Sequence, residues 1–335
     1  MRFKLDEQRR PIGIIVKESK EAHQLIEEFM LLANRYVAEH VGKIEIEGRP
    51  VPFPYRVHDQ PDEEKLLPFA AFARKFGHSF DTKSPDSIAA SFNQQLKDVQ
   101  GQPEQHVLEQ LGIRTMAKAV YTGKNIGHYG LGFKDYCHFT SPIRRYPDVL
   151  VHRVLQEVLD KNLHADKKME EKCRHCSERE RAAMEAERAG NKYKQVEYLK
   201  NFLGDEFDGV ISGVASFGFW VETVAHKCEG LVSVTSLADY DDFRHIESDY
   251  MLVGMRSGRR FRMGDKVRIR VVAANLEKRQ LDYEWVITAA LKDHPAAAEL
   301  PFIPGPPAGT RKKAGKKTTA ASGKPAGAKK KHKKS

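Results

Sequence analysis

The sequence predicts an α+β chain in three parts. A mostly helical part with some strands spans residues 1–203, a five-stranded barrel of the oligonucleotide-binding type (OB-fold) spans 204–288, and a disordered lysine-rich tail spans 289–335. Three observations predict it. Apolar residues recur at three- and four-residue steps through the first part, which is the helical period. Short alternating runs broken by glycine fill 205–286, the pattern of a small closed barrel. After Ala289 the chain is dominated by proline, glycine, alanine and lysine, a composition that builds no core.

Each element follows from local pattern. Residues 21–41 read as a helix because Leu25, Ile26, Phe29, Leu32, Ala33, Tyr36 and Val37 form one broad apolar face, with Glu27 and Glu28 beside it. The segment 47–64 is broken by prolines and leaves room for one short strand over 55–58. Residues 66–76 return to the helical period, and 92–121 predict two helices divided near Gly101 and Pro103. The glycine- and aromatic-rich stretch 123–139 reads as strand and tight turn. Pro142 is expected to open a helix over 142–160, with Ser141 capping its first turn. Residues 166–202 alternate in charge and predict one long exposed helix, or a pair bent near Gly190. Strands from 205–223, 230–237 and 264–286 supply the barrel.

With 335 residues the chain has room for two domains and a disordered end. Its net charge is +10, yet Arg311 to Ser335 holds eleven Lys or Arg and no Asp or Glu. Taking those eleven from +10 leaves −1 for residues 1–310, so the folded part is not basic as a whole. The tail reads as an attractor for RNA, ribosomal RNA included, with no sequence readout; a solubilising extension is the alternative. Four cysteines argue against a disulfide scaffold and for a reducing compartment, hence a cytoplasmic location. Neither a secretory leader nor a membrane span is expected, because no run approaches the length of apolar residues that either needs.

The stretch HFTSPIRRYPDVLVHR (138–153) concentrates groups suited to phosphate. Arg144 and Arg145 are adjacent at an expected helix start, where two guanidinium forks and unpaired N–H groups can face phosphate oxygens. An arginine so placed can also stabilise charge on a transferring phosphoryl group. The alternative is that Arg144 pairs with Asp148 and Arg145 with some other carboxylate. His138 and His152 read as packing or hydrogen-bonding residues. Cys173, His175 and Cys176 resemble half a zinc site, but no second ligand pair stands nearby, so they read as bystanders, and Cys137 and Cys228 as buried. In the barrel, Phe217 and Phe219 share a face by alternation and read as a base-stacking platform, with Trp220 in the core. His226 lines the same path, and Lys266, Arg268 and Arg270 alternate along one face for phosphates.

The stretch HYGLGFKDYCHFTSPIRRYPDVLVHRVL (128–155) resembles the ribonuclease II / ribonuclease R (RNB) family, as do residues 21–41, 55–66 and 175–188. Residues 204–288 are similar to the ribosomal-protein-type RNA-binding domain that follows the catalytic domain in ribonuclease R. The resemblance implies processive 3′-to-5′ hydrolysis of single-stranded RNA to nucleoside 5′-monophosphates, with magnesium. It implies that Arg144 lies against the scissile phosphate with Arg145 in support, and that Glu27 or Glu28 stands near the terminal ribose. Ser141 and Tyr129 would line the RNA channel, with Asp148 and Arg153 as scaffolding.

The family's closely spaced metal-holding aspartates have no counterpart here. Asp6 and Glu7 stand in a turn, and the densest acidic patch, Asp59, Asp62, Glu63 and Glu64, is bounded by prolines. No metal ligand is therefore assigned to this chain. The expectation is the C-terminal portion of such an enzyme, with the missing N-terminal segment as a partner, the apolar face of 21–41 left uncovered, and RNA affinity without autonomous hydrolysis. A non-catalytic RNA-binding module built on barrel and tail is the alternative.

Overall fold

The computed structural model describes residues 2–15, 19–102 and 104–287. The expected disordered tail lies outside the described residues. An antiparallel hairpin comes first, β1 (Arg2–Leu5) with β2 (Pro11–Ile15). Helix α1 (Glu21–Val41) follows, then a small hairpin of β3 (Glu45–Ile46) and β4 (Arg49–Pro50). Strand β5 (Tyr55–Val57) pairs antiparallel with β6 (Val120–Thr122), and between them lie α2 (Glu63–Arg74), α3 (Pro85–Asp98) and α4 (Gln105–Thr115). The acidic patch is explained by α2: Asp62 caps it, accepting the N–H of Glu64 at 3.1 Å, and Glu63 and Glu64 sit in its first turn. Carboxylates there favour the positive end of the helix dipole.

Two expectations in this part are corrected, and a third, the uncovered apolar face of 21–41, is met. The stretch 123–139 forms no strand; it is a loop with one 3-10 turn at Tyr129–Leu131, tied to its surroundings by isolated bridges such as Tyr55 to Cys137. The next helix, α5 (Tyr146–Leu159), begins four residues later than Pro142. Pro147 gives the reason: in a helix opened at 142 it would sit in the interior, lacking an N–H and clashing with the preceding turn, whereas in the first turn it costs nothing. Lastly, α1 buries Asn34, Ala38 and Val41, while Leu25, Ile26, Phe29, Leu32 and Tyr36 remain exposed. Its broad apolar face is therefore uncovered among the described residues.

Helix α6 (Met169–Leu199) runs unbroken through Gly190. Over about 46 Å at 1.5 Å per residue it joins two cores. Its start packs Met169, Cys173 and Cys176 with Ala38, Val41, Phe53, Leu150 and Val151. Its end packs Val196, Tyr198 and Leu199 into the barrel. All four cysteines are free and buried, and burial pushes the Cys173 thiol up to about 12. Cys173 and Cys176 are core residues, not half of a metal site. No helix among the described residues is long and apolar enough to cross a membrane.

The barrel is closed by five strands in the order β13-β14-β9-β8-β7. These are β7 (Glu206–Ala215), β8 (Gly218–Thr223), β9 (Glu229–Ser233), β13 (Lys266–Asn275) and β14 (Gln280–Trp285), with β14 and β9 parallel at the closure. Between β9 and β13 come the short α7 (Val234–Leu237) and a separate antiparallel sheet of β10 (Phe243–Ile246), β11 (Met251–Gly254) and β12 (Arg260–Arg262). That sheet, which no sequence pattern predicts, docks on the end of α2 through the turn between β10 and β11. Lys75 pairs with Asp249 and donates to the carbonyl of Ser248 at 3.1 Å, and Tyr250 meets Phe72 edge-on at 5.2 Å.

Barrel alternation corrects the assignment of its aromatics. The turn between β7 and β8 holds Phe217, so the two-residue step to Phe219 does not stay on one face. Phe219 is 0% exposed and stacks on Phe261 at 4.6 Å in the core. Trp220 faces outward instead. Two glycines make this possible: a Cβ at Gly218 would lie 2.2 Å from the carbonyl oxygen of Val232, and one at Gly213 would lie 3.1 Å from the indole of Trp220. Replacing Phe219 with Ala is expected to destabilise the barrel by roughly 3–5 kcal/mol, with Trp220→Ala costing clearly less. Denaturant unfolding followed by circular dichroism compares the two.

Histidines line the inner side of the loop 123–139. His138 shares a 2.7 Å hydrogen bond with the Tyr121 hydroxyl, and His128 stacks on His58 at 5.1 Å. Burial, aided by Arg145, pushes His138 down to about 3, and burial with His58 pushes His128 down to about 4. An imidazole whose folded pKa lies below its unfolded value of about 6.5 stabilises the fold fully above that value and loses the contribution as pH falls toward the folded one. Thermal stability should therefore decline from about pH 6.5 toward pH 4, and His138→Gln should flatten that decline.

Candidate nucleic-acid interface

The arginine pair is divided by one carboxylate. Asp148, in the first turn of α5, is 0% exposed. Its Oδ2 accepts from the Arg145 guanidinium at 2.8 Å and from the N–H of Ser141 at 2.7 Å. Arg145 is thereby turned inward, and of the alternatives left open, it is Arg145 and not Arg144 that pairs with Asp148. Residues 142–144 form a turn closed on the Ser141 carbonyl, which accepts the N–H groups of Arg144 and Arg145 at 3.2 and 3.0 Å. Ser141 is thus the hinge of the turn and not a helix cap. Arg144 is exposed, and its guanidinium has no hydrogen-bond or ion-pair partner among the described residues. A fixed backbone under a free guanidinium suits an anion arriving from outside.

The loop that leads into this turn is anchored to α1. Asn34 accepts the N–H groups of Phe139 and Thr140 on its Oδ1 and donates to the Tyr136 hydroxyl. His152 reaches the Phe139 carbonyl at 2.9 Å and stacks on the Phe139 ring. Arg153 lies over the Tyr146 ring, at 6.0 Å from its centroid. Asn34 holds this loop and was not among the residues expected from the sequence. An amide inside an apolar helix face was the available signal.

The other expected residues are placed as follows. Tyr129 stacks on His58, and its hydroxyl donates to the Pro85 carbonyl at 3.4 Å. Glu27 and Glu28 are exposed on the uncovered half of α1. Glu28 borders a groove lined by Leu25, Phe29, Leu32, Arg35 and Phe133, whereas Glu27 does not. On the barrel, exposed Phe217 meets Trp220 edge-on at 5.3 Å, and these two rings form the outward aromatic pair in place of Phe217 and Phe219.

Charge on the barrel departs from expectation. Arg268 is bound by Glu206 and Asp208 at 3.2 and 3.1 Å, and Arg270 by Glu206 and Glu284 at 2.8 and 3.3 Å. These cross-strand pairs neutralise the row, and the two guanidinium groups hold Glu206 below the usual carboxylate range. Lys266 is exposed and outside these pairs. His226 is half-buried among Tyr198, Phe202 and Phe207 and cements α6 to the barrel, so it is no part of an open path.

Among the described residues no group of three or more His, Cys, Asp or Glu side chains is placed to hold a metal ion. The residues present do not fit the magnesium that the resemblance implies. The arrangement can bind a polyanion at Arg144 and stack bases at Phe217 and Trp220.

Comparison with known proteins assigns both halves. Residues 1–161 match the RNB domain, and residues 200–284 match the S1 RNA binding domain. The chain is 39% identical over 287 residues to ribonuclease R of Aquifex aeolicus, which covers 84% of this chain and 40% of that relative. It superposes on the apo form of Mycoplasma genitalium RNase R with a TM-score of 0.75 at 24% identity. That match covers 85% of this chain and 45% of the other. The same enzyme in complex with ribose-methylated single-stranded RNA gives a TM-score of 0.74 at 25% identity, with the same coverage. The chain therefore spans less than half the length of these relatives. With an RNB domain match carrying the arginine turn and an S1 match carrying the barrel, the chain belongs to the ribonuclease II / ribonuclease R (RNB) family.

Proposed function

We propose that this chain is the RNA-gripping part of a 3′-to-5′ exoribonuclease that releases nucleoside 5′-monophosphates from single-stranded RNA, at work in the cytoplasm. The observation that carries the reading is the exposed, unpaired Arg144 on a turn whose backbone is fixed. Arg144 meets the scissile phosphate, and its permanent charge offsets negative charge that develops there. Arg145 supports it indirectly, because its guanidinium neutralises the buried carboxylate that shapes the turn. Ser141 closes the turn, Tyr129 borders the RNA path, and Glu28, at the groove on α1, is the carboxylate nearest the terminal ribose. Phe217 with Trp220 stacks upstream bases, and Lys266 adds a phosphate contact. The RNA-bound relative supports single-stranded RNA as the ligand.

Hydrolysis needs magnesium-holding carboxylates that the described residues do not offer. In this reading they come from a segment outside these 335 residues, which also covers the apolar face of α1. The division between the catalytic part and the barrel falls at 203/204. The same missing carboxylates favour the second reading, a non-catalytic RNA-binding chain in which barrel and tail hold RNA or ribosomal RNA.

An exonuclease assay on a 3′-tailed RNA with magnesium tests this directly. The chain alone should bind the RNA and release little or no 5′-monophosphate. Robust release that Arg144→Ala abolishes would show that the chain holds its own metal and would overturn the reading. Binding separates the two contact sites. Arg144→Ala should make the logarithmic salt dependence of affinity shallower by about 0.7, one phosphate contact to a single strand. Phe217→Ala should weaken binding by roughly 1–3 kcal/mol while leaving that slope unchanged.

A further inference from the structure

Two buried polar side chains from different helices hold the Arg144 turn from opposite sides. Asn34 of α1, 3% exposed, accepts the N–H groups of Phe139 and Thr140 at 2.9 and 3.2 Å and donates to Tyr136 at 3.1 Å. Asp148 of α5 accepts the N–H of Ser141 at 2.7 Å and the Arg145 guanidinium at 2.8 Å. With the Ser141 carbonyl taking the N–H groups of Arg144 and Arg145, five backbone donors between 139 and 145 have fixed acceptors, and Pro142 has none to satisfy. Ile143, at the tip, is fully exposed.

Neither side chain is there for its own element. Asparagine is a poor interior residue for a helix, because its amide competes for backbone groups. In a face shared with Ala38 and Val41, an apolar residue would pack without a polar group to satisfy. Asp148 is likewise fully buried, and its Oδ1 has no partner among the described residues. A buried ion pair such as Asp148–Arg145 adds little net stability relative to apolar side chains in place of both partners. What the pair does achieve is geometric: it fixes the backbone that ends in Arg144.

We propose that Asn34 and Asp148 are positioning residues for Arg144, preforming the turn so that the guanidinium meets an RNA phosphate already ordered. The proposal rests on the reading of Arg144 as the phosphate contact. Neither residue touches RNA; each acts through the loop backbone.

A double-mutant cycle on the full chain tests it, with affinity for single-stranded RNA measured across salt concentrations. Asn34→Leu and Asp148→Asn are each made alone and with Arg144→Ala. Each single variant should lose about as much affinity as Arg144→Ala, roughly tenfold, and show the same shallower salt slope. Neither should lose more in the Arg144→Ala background, since residues acting through one group are non-additive. Additive losses, or single variants with wild-type affinity and slope, overturn the proposal. If Arg144→Ala itself changes neither affinity nor slope, the reading of the site falls and the proposal with it. Amide hydrogen exchange gives a second readout that needs no RNA. Protection at Thr140 and Ser141 should be lost in the variants while protection in the barrel strands persists. Loss in both regions would mean general unfolding and would count against a positioning role.

Discussion

A single buried carboxylate decides what the arginine pair can do. Asp148 ties down Arg145 and the N–H of Ser141 together, and the turn between them leaves Arg144 pointing outward. Without that ion pair the two guanidinium groups would be equivalent, mobile and mutually repulsive. With it, one becomes scaffold and the other a ready anion contact. A buried pair of this kind adds little net stability, since desolvation offsets most of the attraction. Its contribution is specificity of geometry, and the Asn34 amide across the loop makes the same trade.

The rest of the fold keeps that turn in a fixed relation to the barrel. Helix α6 enters one core at Met169 and Cys173 and another at Val196 and Leu199, so two hydrophobic clusters share one rigid rod. Arg56 adds a tie midway, meeting Glu180 at 2.6 Å and lying over Tyr121. On the far side, Tyr250 and Lys75 fasten the β10–β12 sheet to α2. Arg268 and Arg270 of the barrel are consumed in cross-strand pairs, so in the proposed reading the barrel relies on Phe217 and Trp220 more than on charge. In that reading the main phosphate contact, Arg144, and the stacking pair lie in different parts of the chain.

Much of this was legible in the sequence, and each exception has a physical cause. The helical period predicts α1, α2 and α4, alternating charge predicts α6, and glycine-punctuated alternation predicts the closed five-stranded barrel. Adjacent arginines marked the segment as a phosphate site, but as a helix start and not as the turn it forms. Which arginine faced outward was not legible, because both stand within reach of Asp148 and only the break at Pro147 fixes the register. Phe219 was misassigned because alternation was carried across the turn that holds Phe217. Arg268 and Arg270 looked available because their carboxylate partners lie on neighbouring strands, distant in sequence. The β10–β12 sheet lies in a stretch whose strands are too short to show a period. For Arg268 and Arg270 the deciding contact is non-local, whereas for Arg144 and Phe219 it is a local break in the regular period.

The central claim is that Arg144 grips the RNA backbone while the metal-holding carboxylates lie outside this chain. A crystal structure of the full chain with a 3′ single-stranded RNA oligonucleotide and magnesium tests it most directly. A phosphate oxygen is expected within hydrogen-bond distance of the Arg144 guanidinium, with Arg145 still on Asp148 and no magnesium ion held by this chain's carboxylates. RNA seated elsewhere with Arg144 idle, or magnesium ligated wholly by these residues beside Arg144, would contradict it.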